Sequence, residues 1–363
     1  MLKIAIDARW MSGQLRGMGR YAHQLIAPIK ENLVYLQPKH SAPISNLSVC
    51  KGSGFFPRWE QFVLPKLCKQ EQIDVLCCPY NTAPLFLRKP TKLVLVVHDL
   101  IFLKDRKQLP LSQSWYQNFG RFYRAFVVPR VVKRADYLVT VSHFTKTEMV
   151  DAFNIDPERV IVIPNSIDQA WLNLDLLSLS QRGDYFFTVA GDAPSKNIPR
   201  LIEAFALFTR DKLCGTRLKI AGIKTTSQQV FIDLAKAFDV FDQIDFLDYL
   251  STEDLQSLYL KAKGFVFAST FEGFGIPLLE AMSCCVPIAC SNTTSLPEVV
   301  GEYGVLFDPY SPASIAEGLG KLTNDSLWSD AKVLAAKQRV VNLYSQEVIC
   351  QQFEKFWSDV RGR

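Results

Sequence analysis

The chain has 363 residues, 48% hydrophobic and 21% charged, a length that calls for two α/β-sized cores and a composition that excludes disordered and fibrous classes. No run of eighteen apolar residues occurs, so no spanning helix is expected, and Asp7 and Arg9 interrupt residues 2–6 too early for a signal sequence. Nine cysteines, odd in number and without paired C-x-x-C spacing, speak against a disulfide framework or a zinc site and for a reducing, cytoplasmic setting. The net charge of +5 is uneven: residues 1–170 hold 23 Lys/Arg against 13 Asp/Glu, and residues 171–363 hold 18 against 23. The two halves are expected to meet different partners.

The first half alternates apolar runs with amphipathic stretches, the pattern of a doubly wound parallel sheet. Strands are predicted at 2–6, 73–77, 93–97, 137–141 and 160–163, and helices at 21–30, 59–69, 112–133 and 144–153. Ligands gather at the carboxyl ends of such strands, which singles out Asp7, Arg9, His98, Asp99, Ser142 and Asn165. Taken one at a time these are better explained as caps and turns, and His98 is either a site residue or a strand-end histidine with its hydrogen bonds satisfied. Gly17-Met18-Gly19 forms a glycine-rich turn into a helix without the full G-x-G-x-x-G pattern; it either brings backbone close to a ligand or is merely a tight loop.

Residues 104–134 hold eight Lys/Arg and one acid, Asp105, interleaved with Trp115, Tyr116, Phe119, Phe122, Tyr123 and Phe126. Two readings stand for this basic, aromatic helix. It lies on an anionic membrane or binds an anionic acceptor, or its aromatic stripe faces the core and its basic side faces water. Nucleic acid is a poorer third, because no recognition motif accompanies the patch and the second half is acidic. Residues 169–184 lose the rhythm and are read as a linker.

A second α/β series follows, with strands predicted at 185–190, 217–221, 244–247, 264–268, 287–289 and 305–307. After the first of them comes Gly191-Asp192-Ala193-Pro194-Ser195-Lys196-Asn197, where Lys196 stands just before an amphipathic helix and suits a diphosphate, although taken alone it reads better as a solvated surface lysine. The stretch Phe265–Pro287 reads strand, loop, helix: Ser269, Thr270 and Glu272 lead into Gly273-Phe274-Gly275, and Pro277 opens the helix. Its free N–H groups form an anion site, and Glu280 falls about one turn in, so two carboxylates flank a phosphate-ready turn. Residues 346–363 are expected to form a last amphipathic helix packed at the domain junction.

Glu272 and Glu280, with seven residues between them, together with IDAR at 6–9, GMGRY at 17–21, VHDL at 97–100, PNS at 164–166, PSKN at 194–197 and LPEVVG at 296–301, resemble the retaining glycosyltransferases of family 4, as in bacterial mannosyltransferases. The resemblance covers nearly the whole chain. It implies an α/β fold of the GT-B type, two Rossmann-like domains facing each other across a cleft: 1–170 for the acceptor, 185–345 for the nucleotide-sugar, then the helix at 346–363. By matching positions it implies that Glu280 holds the ribose, Glu272 the donor sugar, the Gly273, Phe274 and Gly275 backbone the sugar and phosphate, and Lys196 the leaving diphosphate. His98 would contact the donor sugar near the reacting carbon, and Gly17 and Gly19 would approach the phosphate.

The reaction so implied moves a hexosyl group from a nucleoside-diphosphate sugar, GDP-mannose first and a UDP-sugar as alternative, to a saccharide or lipid-linked acceptor at the cytoplasmic face of a membrane. The absence of D-x-D suggests neither a metal-bridged diphosphate nor another cofactor. Four departures from the family pattern stand out. Gly191 replaces an arginine often found five residues before the lysine, Ser166 replaces the glycine of P-N-G, Cys285 replaces a glycine after the helix, and Asp248 stands where a glycine often follows a strand. Arg9, Arg16 and Arg20 are expected on the acceptor side and as substitutes for the missing cation. A non-catalytic nucleotide-sugar-binding relative, an epimerase and a phosphorylase are the competing readings.

Overall fold

The computed structural model describes residues 2–12, 17–52, 54–105, 115–210 and 215–362. The chain divides into two units, the first made of Met1–Lys104, Gln113–Ser166 and Gln346–Arg363, the second built on Ile167–Ser345.

The first unit carries a seven-stranded, wholly parallel sheet: β1 Ile4–Asp7, β2 Leu33–Gln37, β3 Ser48–Cys50, β4 Val75–Cys78, β5 Lys92–Val97, β6 Tyr137–Thr140 and β7 Val160–Val162, in the order β3-β2-β1-β4-β5-β6-β7. The five strands predicted from apolar runs are present within a residue or two. β2 and β3 were missed. β3 is a three-residue edge strand, too short for a period to show, and β2 follows directly on a 3-10 turn, Ala27–Asn32, without a spacer that would set it off. The Gly17-Met18-Gly19 segment is also not a turn before a helix: the helix runs Gly17–Ile26, because burial of Tyr21, Ala22, Leu25 and Ile26 outweighs the roughly 1 kcal/mol that a glycine costs in a helix.

The second unit repeats the plan with six parallel strands: β8 Tyr185–Val189, β9 Arg217–Ala221, β10 Ile244–Leu247, β11 Gly264–Phe267, β12 Ile288–Ser291 and β13 Gly304–Phe307, ordered β10-β9-β8-β11-β12-β13. All six were legible as short apolar runs. In each sheet the order reverses once, between β1 and β4 and between β8 and β11, and that reversal opens a crevice at the strands' carboxyl ends where doubly wound proteins bind ligands. Both units are Rossmann-like.

The last helix, Gln346–Gly362, expected at the junction, is counted wholly with the first unit. Phe353 meets Tyr21 edge-on at 5.4 Å, and the Trp357 indole N–H donates to the Leu25 carbonyl at 2.6 Å. The stretch read as a linker forms a short helix, Gln169–Leu172, and a 3-10 turn, Leu179–Gln181, in the second unit. The basic aromatic helix runs Trp115–Arg134; its predicted start at 112 lies outside the described residues.

Candidate active site

In the second unit β8 and β11 are neighbours at the reversal, so the loops that leave them lie side by side. They are tied together by Asn197. Its backbone takes the left-handed conformation at φ 58°, which Asn tolerates better than most residues. Its side-chain amide donates to the carbonyls of Ala268 at 3.0 Å and Pro309 at 2.7 Å. The Thr270 N–H adds a bond to the Ser195 carbonyl at 2.8 Å. Pinning the loops in this way brings Lys196 and Glu272, 76 positions apart, into an ion pair with Nζ and Oε1 separated by 2.6 Å. The Ser269 hydroxyl donates to the same Oε1 at 2.6 Å.

The glycine turn behaves as the spacing suggests, with one refinement. The helix is Ile276–Ser283, Pro277 is its second residue, and Gly275 is its N-cap at φ 107°. A Cβ there would lie 2.7 Å from Leu296 Cδ2, so both conformation and space demand glycine. The Ser295 hydroxyl donates to the Phe274 carbonyl at 2.9 Å, which holds the turn open at the helix N-terminus, an electropositive end suited to phosphate. Glu280 is buried in the fifth position of the helix and accepts a hydrogen bond from the fully buried Tyr259 hydroxyl at 2.9 Å. Burial first, and then the Glu280 charge, push the Tyr259 phenol far above its ordinary pKa, so it stays a donor. Sequence reasoning missed Tyr259. It sits on the helix Thr252–Lys261 as one more apolar-face position, and nothing in its neighbours marks it.

Three departures from the family pattern acquire physical content. At Gly191 a Cβ would meet nothing within 4 Å, so the position is open to a larger side chain. Cys285 adopts φ 55° directly after the helix, its N–H bonding the Met282 carbonyl at 3.0 Å while the Val286 N–H bonds that of Ala281 at 3.1 Å. That is a Schellman closure, in which glycine is the unstrained residue. Asp248, in the third glycine position, caps its own turn by accepting from Thr225 N–H at 3.0 Å and Tyr249 N–H at 2.6 Å, and these hydrogen bonds, with that of the Thr225 hydroxyl largest among them, lower its pKa.

In the first unit His98 follows β5 and is buried. Its Nε2 lies 2.9 Å from the Pro79 carbonyl, which makes Nε2–H the donor, and Asn81 Oδ1 accepts from its backbone N–H at 2.6 Å. Burial lowers its pKa to about 4, only partly offset by the carbonyl. The imidazole is therefore neutral near pH 7, with Nδ1 left as an acceptor. Gly17 is exposed and Gly19 buried at the start of their helix.

Arg9 differs most from expectation. It is buried, with Nε 3.1 Å from Asp7 and one terminal nitrogen 2.6 Å from Glu60. Trp59 donates to Asp7 at 2.9 Å, and Tyr123 to Glu60 at 2.7 Å. Burial alone would lower the Arg9 pKa, but the two carboxylates more than reverse this. Two of its nitrogens are thus engaged by buried carboxylates, while the other terminal nitrogen, Nη1, is buried without a hydrogen-bond partner among the described residues. Arg20 is exposed, and Arg16 lies outside the described residues.

The family model described as Glycosyltransferase Family 4 matches residues 15–171, and the one described as Glycosyl transferases group 1 matches residues 177–339. The chain belongs to this family of glycosyltransferases, and its two Rossmann-like units are those of the GT-B fold class. Among relatives, it is 34% identical over 205 residues to the O-antigen chain mannosyltransferase B of Escherichia coli, covering 54% of each chain. It is 30% identical over 262 residues to the serotype-specific mannosyltransferase WbdA of Escherichia coli, covering 69% of this chain and 31% of that one. The chain thus spans about half the length of the first relative and a third of the second. A solved structure of Anabaena HepE in complex with UDP and glucose superposes with a TM-score of 0.72 at 17% identity, covering 99% of this chain and 100% of that one; at that identity the likeness is one of fold.

Proposed function

We propose that the protein transfers a hexosyl group, mannose from GDP-mannose in the first instance, from a nucleoside-diphosphate sugar to a saccharide or lipid-linked acceptor with retention of anomeric configuration. The observation that carries this reading is the pairing of Lys196 with Glu272 beside the glycine turn that opens the Glu280 helix. A donor's diphosphate would lie at that helix N-terminus against Lys196, its sugar hydroxyls on Glu272, and its ribose hydroxyls on Glu280.

Cleavage of the sugar–phosphate bond leaves positive charge on the ring and negative charge on the diphosphate, so fixed N–H dipoles and Lys196 act most strongly in the transition state. In front-face attack the acceptor oxygen bonds the anomeric carbon as the phosphate departs, and the phosphate oxygen takes the acceptor's proton. No carboxylate is then needed as a base. This fits Glu272, already bound by a lysine and a serine, and Glu280, bound by a tyrosine. The choice of mannose is supported by the E. coli mannosyltransferases; the HepE structure with UDP and glucose supports the alternative of a UDP-sugar.

The test is a thermal-shift panel of nucleoside diphosphates and their sugars, followed by NMR of the product's anomeric configuration. GDP and GDP-mannose should give the largest shifts, and Glu280→Ala should weaken the nucleotide by about 1–3 kcal/mol through a lost charge-assisted hydrogen bond. Unchanged nucleotide affinity in that variant removes the ribose role. An inverted product removes the retaining mechanism.

A further inference from the structure

The helix Trp115–Arg134 is apolar on two faces. Val127, Val128, Val131 and Val132 are buried in the core of the first unit. A second stripe, at helical spacing, runs through Trp115, Phe119, Phe122 and Phe126. Trp115, Phe122 and Phe126 are 75%, 51% and 54% exposed, so this stripe does not face the core, whereas Tyr123 of the same aromatic set packs against it and bonds Glu60. The stripe is widened by Phe55, which stacks on Phe119 with ring centres 6.3 Å apart. Large aromatic side chains bury about 150–250 Å² each when covered, and a contiguous row of them in water marks an interaction site rather than ordinary surface.

The charges around the stripe favour one kind of partner. The helix carries Arg121, Arg124, Arg130, Lys133 and Arg134 and no Asp or Glu. The Arg130 guanidinium lies over the Phe126 ring at 3.8 Å, and that of Arg134 lies 5.4 Å from the ring centre of Phe86. Long cationic side chains laid along aromatic rings place apolar stems and charged heads at one level, as interfacial residues do. A second copy docking by a two-fold axis would set this all-cationic helix against itself. Like every helix among the described residues, it is not long and apolar enough to cross a membrane; its composition is that of a helix lying along one.

We propose that this face docks the protein on an anionic lipid bilayer, with Trp115, Phe119, Phe122 and Phe126 at the level of the headgroups and Arg130, Lys133 and Arg134 against the lipid phosphates. The inference goes beyond the donor reading and does not depend on it. The full chain is sedimented with vesicles of phosphatidylcholine alone or mixed with phosphatidylglycerol, at low and high salt. Binding is expected on the mixed vesicles only, falling steeply with salt. Phe122→Ser with Phe126→Ser, and separately Arg130→Gln with Lys133→Gln and Arg134→Gln, should each lower the partition by about tenfold or more. Unfolding midpoints of the variants check that the fold survives, and if the aromatic pair variant misfolds, the charge variant alone decides. Failure of the wild type to sediment with anionic vesicles at low salt overturns the proposal. So does wild-type partition in both variants, or a self-associated state that the substitutions dissolve while vesicle binding stays absent.

Discussion

Replacing Glu272 by Gln removes a charge and leaves volume and the Ser269 hydrogen bond in place. Lys196 is held 2.6 Å from Glu272, the two side chains 26% and 18% exposed. Exposed ion pairs are worth about 0.2–1 kcal/mol, and a short, largely buried pair belongs at the upper end, about 1 kcal/mol. A diphosphate arriving at the helix N-terminus must share Lys196 with that carboxylate and is repelled by it. The Gln variant should therefore bind nucleoside diphosphate more tightly, by about fivefold for 1 kcal/mol. The sugar nucleotide, which is read as making hydrogen bonds to Glu272, should gain little or lose affinity, and turnover should fall. Titration calorimetry at low salt, with Lys196→Met and the double variant completing a cycle, measures this. In the double variant the gain from Glu272→Gln should shrink to the part that comes from direct carboxylate–phosphate repulsion. Weaker diphosphate binding in Glu272→Gln, or an equal gain with and without Lys196, refutes the counter-ion account.

Gly191→Arg has open space for its side chain and should restore a phosphate cation, tightening the nucleotide by about tenfold with little change in unfolding midpoint; Gly191→Ala should do neither, and equal affinities of the two would dissociate this position from the phosphate. At Cys285, φ 55° makes Gly the relaxed choice, so Cys285→Gly should exceed Cys285→Ala in stability by about 1 kcal/mol. Both variants lose the same buried thiol and differ only in the Cβ and the backbone preference it sets, which denaturant midpoints compare, and the opposite order would contradict a strain-dominated Schellman position. His98 has its pKa lowered from 6.5 to about 4 by burial, so the unfolded chain binds more protons between those values and stability falls with falling pH across that window. The fall relative to His98→Gln should be about 3 kcal/mol, level above pH 6.5 and below pH 4; parallel stability profiles would show that the histidine is not buried in neutral form.

Much of the fold was legible because parallel strands buried on both faces leave short apolar runs, and eleven of the thirteen strands announce themselves that way. The second unit was clearer than the first, since each of its strands exceeds three residues. The donor-side residues were legible for a local reason. Glu272, Gly273, Gly275, Pro277 and Glu280 act through one turn and one helix start, and glycine and proline state their backbone requirements in the sequence.

What the sequence by itself determined is therefore the alternating α/β plan, the glycine turn at the head of the Ile276–Ser283 helix and the seven-residue separation of its two glutamates. Only the tertiary structure decided which charges meet. It paired Lys196 with Glu272 across 76 positions, set Tyr259 on Glu280 across 21, committed Arg9 to Asp7 and Glu60, and turned the aromatic stripe of Trp115–Arg134 outward. The reason is physical: a backbone requirement is written within a few residues, whereas the partner of a charge and the direction of a helix face depend on which distant elements the core brings alongside.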